Sequence, residues 1–252
     1  MSDHGSTRRA FGRGTIDSVL TFCLLEHLCL HDAFGKGVQP ITARWLKQVD
    51  DVSRSVRAGK IEQVQWQKQA EALFAQVSLP DLLKFIDYQK LSANVQFREK
   101  GERSMRVRFP SVEGLPTGLA FGQQVFALKK NQSVVPHGHN NMATAFIILE
   151  GSFHGRHYDR IEDEKRHMIV KPTIDDTFRP GQYTTISDHK DNVHWFKAVT
   201  DRAFIFNIHV LNIDAQVKKG GRVYIDPDGE KISGGRIRAP RVTYKQAHEK
   251  YG

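Results

Sequence analysis

The pattern of hydrophobic and polar positions divides the chain into a helical part and a strand-rich part. From residue 15 to about residue 95, apolar residues recur at helical intervals. Trp45, Val49, Val52 and Val56, for example, follow one another at steps of four, three and four, and Gly59 is expected to end their helix. Other helices are predicted over residues 16–30, 66–77 and 78–86, the last of them opening with the capping-box segment Ser78-Leu79-Pro80-Asp81.

After about residue 103 the periodicity changes to short alternating segments separated by Gly, Pro, Asn and Asp. Strands are predicted at residues 105–109, 124–128, 146–149, 167–170, 183–186, 194–199 and 204–210. Regularly spaced strands with turns between them favour an antiparallel sandwich or barrel. We therefore predict an α+β protein with three parts: a helical region (1–103), a mainly β barrel (104–215) and a turn-rich extension ending in a short helix (216–252).

Composition and charge limit the possible functions. The chain has 252 residues, 39 % of them hydrophobic, and no long uncharged apolar run, so we expect no membrane association. The formal net charge is +9, but Lys and Arg are spread along the chain without a nucleic-acid-binding motif. We interpret the surplus as a solvated surface, or as a preference for an anionic substrate, and expect no nucleic-acid partner and a monomer or homodimer.

The N-terminal region bears on the compartment. Arg8-Arg9 resembles a twin-arginine export motif, which would give a periplasmic protein, but the apolar stretch that follows is short and bounded by Asp17 and Glu26. Cys23 and Cys29 lie six positions apart in one predicted helix, on different faces, so they are expected to stay reduced. We predict a cytoplasmic protein with export as the alternative.

Histidines concentrate in the strand-rich part, where eight of the twelve lie between residues 137 and 209. In Pro136-His137-Gly138-His139, side chains two residues apart in a strand point to the same face, so both imidazoles are directed into one space. Neutral imidazoles suit Fe(II), Ni(II), Cu(II) or Zn(II). A polar loop ending at His194 opens a later strand and could supply a third ligand.

These two segments resemble the two motifs of the cupin superfamily, small antiparallel barrels that hold one metal ion. The resemblance implies that His137, His139 and His194 are the metal ligands. The first cupin motif often adds a Glu seven positions before its final Gly, and counting back from Gly151 gives Thr144, a poor ligand.

A three-histidine cupin without the Glu resembles the cysteine and cysteamine dioxygenase group, over roughly residues 120–212. Residues 137–153 match the cysteamine type without a gap, and Ile186-Ser187-Asp188 and His194 match its second motif. The resemblance implies a mononuclear Fe(II) centre, with Mn, Ni, Cu or Zn as alternatives, that oxidises a small thiol or another anionic chelating substrate with O₂. It also implies that Asn207 and His209 occupy positions around the metal where cysteine dioxygenase has a His and a Tyr, so free cysteine is not the expected substrate.

Two further residues are candidates for substrate binding, Arg156 and Thr144. His154, Arg156 and Tyr158 share one strand face and His157 takes the other, and either face could border the cavity. Two rival functions stay open: a metal-dependent isomerase or lyase on the same scaffold, and a metal- or metabolite-sensing module.

Overall fold

The computed structural model describes residues 41–110, 118–217 and 220–252. The predictions for Arg8-Arg9, for the two cysteines and for the first helix fall outside these residues. Among the described residues, no helix combines the length and apolarity that a membrane crossing requires.

Among the described residues, four helices precede the strands and follow the predicted periodicity. They are α1 (Ile41–Arg57), α2 (Gln63–Gln76), α3 (Leu79–Phe85) and α4 (Tyr88–Ala93). Gly59 has a φ of 65°, which lets the chain turn after α1. Ser78 is the N-cap of α3, where its side chain accepts a hydrogen bond from the Asp81 N–H.

The described part of the chain contains twelve strands, which form two antiparallel sheets. The strands are β1 (Arg103–Arg106), β2 (Gly122–Leu128), β3 (Ser133–Asn140), β4 (Met142–Glu150), β5 (Phe153–Asp163), β6 (His167–Phe178), β7 (Tyr183–Ile186), β8 (Val193–Ala198), β9 (Ala203–Leu211), β10 (Gly221–Ile225), β11 (Glu230–Ile232) and β12 (Arg236–Val242). One sheet has the order β1-β2-β9-β4-β7, and the other β10-β3-β8-β5-β6-β12-β11. The inner faces of both sheets share one buried cluster, in which Phe126 and Phe146 from the first sheet meet Val134, Phe153 and Phe196 from the second. The predicted architecture is confirmed: the protein is α+β, with an antiparallel barrel that is preceded, among the described residues, by helices.

The five-stranded sheet is apolar on both faces. Ala143, Ala145 and Ile147 of β4 pack in one cluster with helical residues such as Trp45 and Trp66. The alternate residues of the same strand face the barrel interior. Since the helices cover the outer face, these strands are nearly continuous hydrophobic runs.

Residues 216–252, which we predicted as a separate extension, add three strands to the larger sheet. β10 pairs with β3, and β12 pairs with β6. A final helix, α5 (Tyr244–Tyr251), follows β12. The extension is thus continuous with the barrel and borders the histidine motif on β3.

Helix α2 is tied to the loops that flank the histidines. The Asp188 carboxylate accepts hydrogen bonds from the Gln63 side chain at 3.0 Å and from the Asn141 backbone N–H at 2.8 Å. Asn141 adopts a φ of 58° at the turn between β3 and β4. Asn192 donates to the His139 carbonyl oxygen at 2.9 Å and to that of Ser187 at 3.1 Å. These bonds fix where β3 ends relative to β8.

Candidate metal centre

Three histidine side chains converge inside the barrel. His137 and His139 lie on β3, and His194 lies on β8 directly across from His137. Their Nε2 atoms form a triangle: 3.0 Å between His137 and His139, 3.1 Å between His137 and His194, and 3.3 Å between His139 and His194. Each residue is at most 2 % exposed.

This triangle fits a single transition-metal ion. With metal–nitrogen bonds of ~2.0–2.1 Å, two nitrogen ligands lie about 3.0 Å apart at a right angle and about 3.3 Å apart at the tetrahedral angle. The three observed distances fall in this interval. Among the described residues this is the group of His, Cys, Asp and Glu side chains that could hold a metal.

The protonation states favour ligation. Burial lowers the pKa of His137 to about 3, with the nearby Arg222 charge as a second cause. Burial and the neighbouring histidines lower the pKa of His139 and His194 well below the usual value. The Nδ1–H of His137 donates to the Val135 carbonyl oxygen at 2.7 Å, which leaves the Nε2 lone pair directed at the triangle. All three imidazoles are therefore neutral and able to bind a cation at neutral pH.

A cavity of about 250 Å³ opens onto the Nε2 triangle. Besides the three histidines it is lined by Gln124, Phe126, Met142, Thr144, Phe146, Asn207, His209, Leu211, Gly221 and Arg222. Among the described residues, no carboxylate lines the cavity. Thr144 is buried in the cavity wall, and its hydroxyl has no hydrogen-bond partner among the described residues. None of these residues therefore competes with a ligand for that hydroxyl.

Asn207 and His209, predicted beside the metal, both line this cavity on β9. The Asn207 Oδ1 accepts a hydrogen bond from the Gln124 side chain at 3.3 Å and lies 3.3 Å from the His209 Nδ1. Its Nδ2 is buried and has no partner among the described residues. Gly122 makes room for the His209 ring, since a Cβ there would lie 2.3 Å from the His209 Nε2.

Arg156, the other predicted substrate-binding residue, does not line the cavity. Its guanidinium lies over the Trp195 ring, 4.7 Å from the centroid, and its Nε is 3.3 Å from an Asp175 carboxylate oxygen. His154 also contacts Asp175. The alternation along β5 was predicted, but this face of the strand points away from the histidine triangle. Arg156 is therefore in a surface ion pair, and Arg222 is the arginine at the cavity.

His157 faces the barrel interior instead. It lies across from His194 in the β5–β8 pairing and is fully buried next to Phe196, with ring centroids 5.5 Å apart. Neither ring nitrogen has a hydrogen-bond partner among the described residues. Burial lowers the pKa of His157 to about 3, with the Lys190 charge as a minor cause.

This burial predicts an acid-sensitive contribution to stability. The folded protein keeps His157 neutral until pH 3 or so, whereas the unfolded chain binds a proton below about pH 6.5. The contribution of neutral His157 to the free energy of unfolding is therefore complete above pH 6.5 and is lost as the pH falls toward 3. The free energy of unfolding is measured in urea at pH 7.5 and at pH 5.0. Between these two pH values it should fall by about 2 kcal/mol less in His157→Phe than in the wild type. His189→Ala, at an exposed loop position, should keep the wild-type difference. An equal pH dependence in His157→Phe and the wild type would contradict a neutral buried His157.

No family model matches the sequence, and no curated protein sequence matches it. Solved structures of similar fold include a cupin superfamily protein from Desulfitobacterium hafniense, at 14% identity over 46% of this chain and 84% of that chain, with a TM-score of 0.31. A recombinant oxalate oxidase in complex with glycolate is 12% identical over 50% of this chain and 56% of that chain, with a TM-score of 0.35. Pumpkin pro-11S globulin is 14% identical over 50% of this chain, with a TM-score of 0.35, and the match spans 28% of the globulin's own length. The fold assignment itself rests on the sheet topology given above.

Two polar lining residues were not predicted from the sequence, Gln124 and Arg222. Gln124 opens a predicted strand that had no motif to mark it. Arg222 follows Gly220-Gly221, beyond the stretch that resembles the cupin motifs, and its position depends on the pairing of β10 with β3. No local signal in the sequence indicates that pairing.

Proposed function

We propose that this protein is a mononuclear non-haem iron dioxygenase that acts on a small thiol or another anionic chelating substrate. The observation that carries the proposal is the donor set: three neutral imidazoles lie on one side of a small cavity, and no carboxylate from the part of the chain that the structure describes lines it. An Fe(II) ion held by His137, His139 and His194 would supply open coordination positions for substrate and O₂ together.

The apolar cavity walls favour a small substrate and restrict the access of water to the three histidines. Phe146 packs against His194, with ring centroids 5.1 Å apart, and Phe126 lines the same wall. Thr144 stands where a carboxylate ligand would otherwise fill part of the space. The free Nδ2 of Asn207 can donate to a bound substrate, and His209 lies beside it at the side of the cavity.

Oxygen uptake tests the proposal. Protein reconstituted anaerobically with Fe(II) is mixed with thiols and chelating acids one at a time, and O₂ consumption is recorded. We expect uptake of about one O₂ per turnover that depends on one of these substrates. Asn207→Ala and His209→Ala should lower turnover more than they lower metal content, because these residues contact the substrate region without holding the ion.

Two results would contradict the proposed dioxygenase activity. One is an absence of substrate-dependent O₂ uptake across the panel. The other is a non-oxidative reaction catalysed by the Zn(II) or Ni(II) protein but not by the Fe(II) protein, which would favour an isomerase or lyase.

A further inference from the structure

Two glutamine side chains of α2 are buried against the barrel. Gln63 is 7 % exposed and Gln67 is 2 % exposed. Since they are four residues apart in one helix, both project from the same face of α2. Glutamine is mostly an exposed residue, because its amide carries two N–H donors and a carbonyl oxygen that need partners when buried. The burial of this pair therefore depends on partners that the barrel provides.

These partners lie at the end of β7 and in the loop that leads to β8. The Gln63 side-chain N–H donates to the Asp188 carboxylate at 3.0 Å, and its carbonyl oxygen accepts from the Asp188 backbone N–H at 2.9 Å. The Gln67 carbonyl oxygen accepts from the Ser187 hydroxyl at 2.7 Å, and its N–H donates to the Thr185 hydroxyl at 3.3 Å. Each glutamine thus makes two hydrogen bonds between the helix and the barrel.

Ser187 connects α2 to the strands that carry the histidines. Its hydroxyl also accepts hydrogen bonds from the backbone N–H groups two and three residues later, both at 3.2 Å, and so shapes the turn before β8. Its carbonyl oxygen accepts from the Asn192 Nδ2 at 3.1 Å, and the same nitrogen donates to the His139 carbonyl oxygen at 2.9 Å. Asn192 is 1 % exposed and lies two residues before His194.

Asp188 provides a second connection, at the other ligand-bearing strand. Its carboxylate accepts from the Asn141 backbone N–H at 2.8 Å. Asn141 lies two residues after His139, between β3 and β4. Gln63 is thereby connected to the end of β3, and Gln67 to the start of β8.

The pairing of β3 with β8 is limited around the histidines. It has an irregularity between Val134 and His137, and it ends at Gly138 and Val193. His139 therefore lies beyond the paired part of these two strands. The hydrogen bond from Asn192 to the His139 carbonyl oxygen continues the contact there.

We propose that Gln63 and Gln67 are positioning residues for the metal centre, through which α2 holds the ligand-bearing ends of β3 and β8 at the separation that the ion requires. Metal–nitrogen distances tolerate deviations of only ~0.2 Å, so a small shift between these strand ends would distort the Nε2 triangle. This role depends on the metal of the proposed function but not on the reaction catalysed there.

Metal affinity of the folded, full-length protein tests this role. Gln63→Met and Gln67→Met each retain a long unbranched side chain and remove two hydrogen bonds. Co(II) is titrated into the wild type and the variants, and the absorption spectrum gives the Kd and the ligand geometry. We expect the Kd to rise about tenfold in each variant, the lower end of the loss found for outer hydrogen-bond partners, with a changed Co(II) spectrum.

Ser187→Ala tests the path from Gln67 to the histidines. It removes the hydroxyl that Gln67 contacts, so it should raise the Kd for Co(II) by a similar factor. The double variant with Gln67→Met should show little further increase, because both changes break the same connection. If Gln67→Met does not fold, Gln63→Met and Ser187→Ala still decide the matter.

Tyr88→Phe is the matched control. The Tyr88 hydroxyl donates to the Glu150 carboxylate at 2.7 Å, which is another hydrogen bond between a helix and the barrel, at the opposite end of β4 from the histidine loops. This variant should have a lower free energy of unfolding in urea, as the glutamine variants should, but it should keep the wild-type Kd and Co(II) spectrum. A role in stability alone would leave the Kd unchanged in all of these variants.

The wild type separates the metal centre from the positioning role. If it binds no Co(II), the metal centre is excluded and the positioning role with it. If it binds Co(II) but both glutamine variants stay within about threefold of its Kd, or Tyr88→Phe weakens binding equally, the positioning role alone is excluded. Oxygen uptake does not enter these measurements, so a failure of the dioxygenase would leave their result unchanged.

Discussion

Replacing His137, His139 or His194 with alanine is expected to remove most of the bound metal. The three Nε2 atoms lie within 3.3 Å of one another, and the described cavity-lining residues include no carboxylate that could substitute for a lost ligand. An ion held by only two imidazoles loses more than the ~10–100-fold in affinity that even an outer hydrogen-bond partner contributes. Metal content measured by mass spectrometry should fall from about one equivalent to below ~0.1 in each variant.

The fold should survive these substitutions. Among the described residues, the three Nε2 atoms lie at hydrogen-bonding distance only from one another, so alanine leaves a small void but no broken hydrogen bond at that atom. Far-ultraviolet circular dichroism should remain that of the wild type. His189→Ala is the matched control, because His189 is an exposed histidine beside the second motif, and it should retain its metal. Retention of a full equivalent by all three ligand variants would show that the site is misassigned.

Thr144→Glu is expected to change the metal centre and suppress turnover by about 100-fold or more. Thr144 is 3 % exposed, lines the cavity on β4 and lies across from His209 on β9. A carboxylate at this position would occupy space that substrate or O₂ needs. Without metal it would be buried with no partner for its charge, so the apo variant should be destabilised by about 2–4 kcal/mol, and metal should restore part of that loss.

Two further variants separate charge from volume at this position. Thr144→Gln introduces an uncharged side chain of the same length as Glu. It should reduce turnover but should not show the metal-dependent change in stability expected for Thr144→Glu. Thr144→Ala removes a hydroxyl that has no partner among the described residues, and should change stability by less than about 1 kcal/mol. If Thr144→Glu keeps the wild-type metal spectrum and turnover, then residue 144 does not face the ion.

The three-histidine cluster was predictable because its signals in the sequence are local. The period of two in a strand places His137 and His139 on one face, and the polar loop before His194 marks the start of another strand. The register that brings β8 beside β3 could not be deduced from these segments. The three histidines were expected to converge because the two segments resemble two motifs of one known fold. The helices over the outer sheet followed from the 3.6-residue periodicity in the same way.

The rest of the cavity depends on long-range pairing. Alternation on β5 predicts that Arg156 and His157 face opposite sides, but not which side is interior. In the structure, the His157 side chain lies in the barrel interior against Phe178 and Phe196. The Arg156 side chain lies on the outer face of β5 and pairs with Asp175. Arg222 reaches the cavity only because β10 returns from the C-terminal segment to pair with β3. A short strand between glycines carries no pattern that would indicate its partner.

Metal analysis of wild-type protein purified without added metal tests the central claim most directly. We expect about one equivalent of a transition metal per chain, which is iron if the protein is the proposed dioxygenase. A chelator should remove this metal, and Fe(II) should restore it stoichiometrically. Protein that contains less than ~0.1 equivalent, and that takes up neither Fe(II) nor Zn(II) on dialysis, would contradict a metal centre at the three histidines.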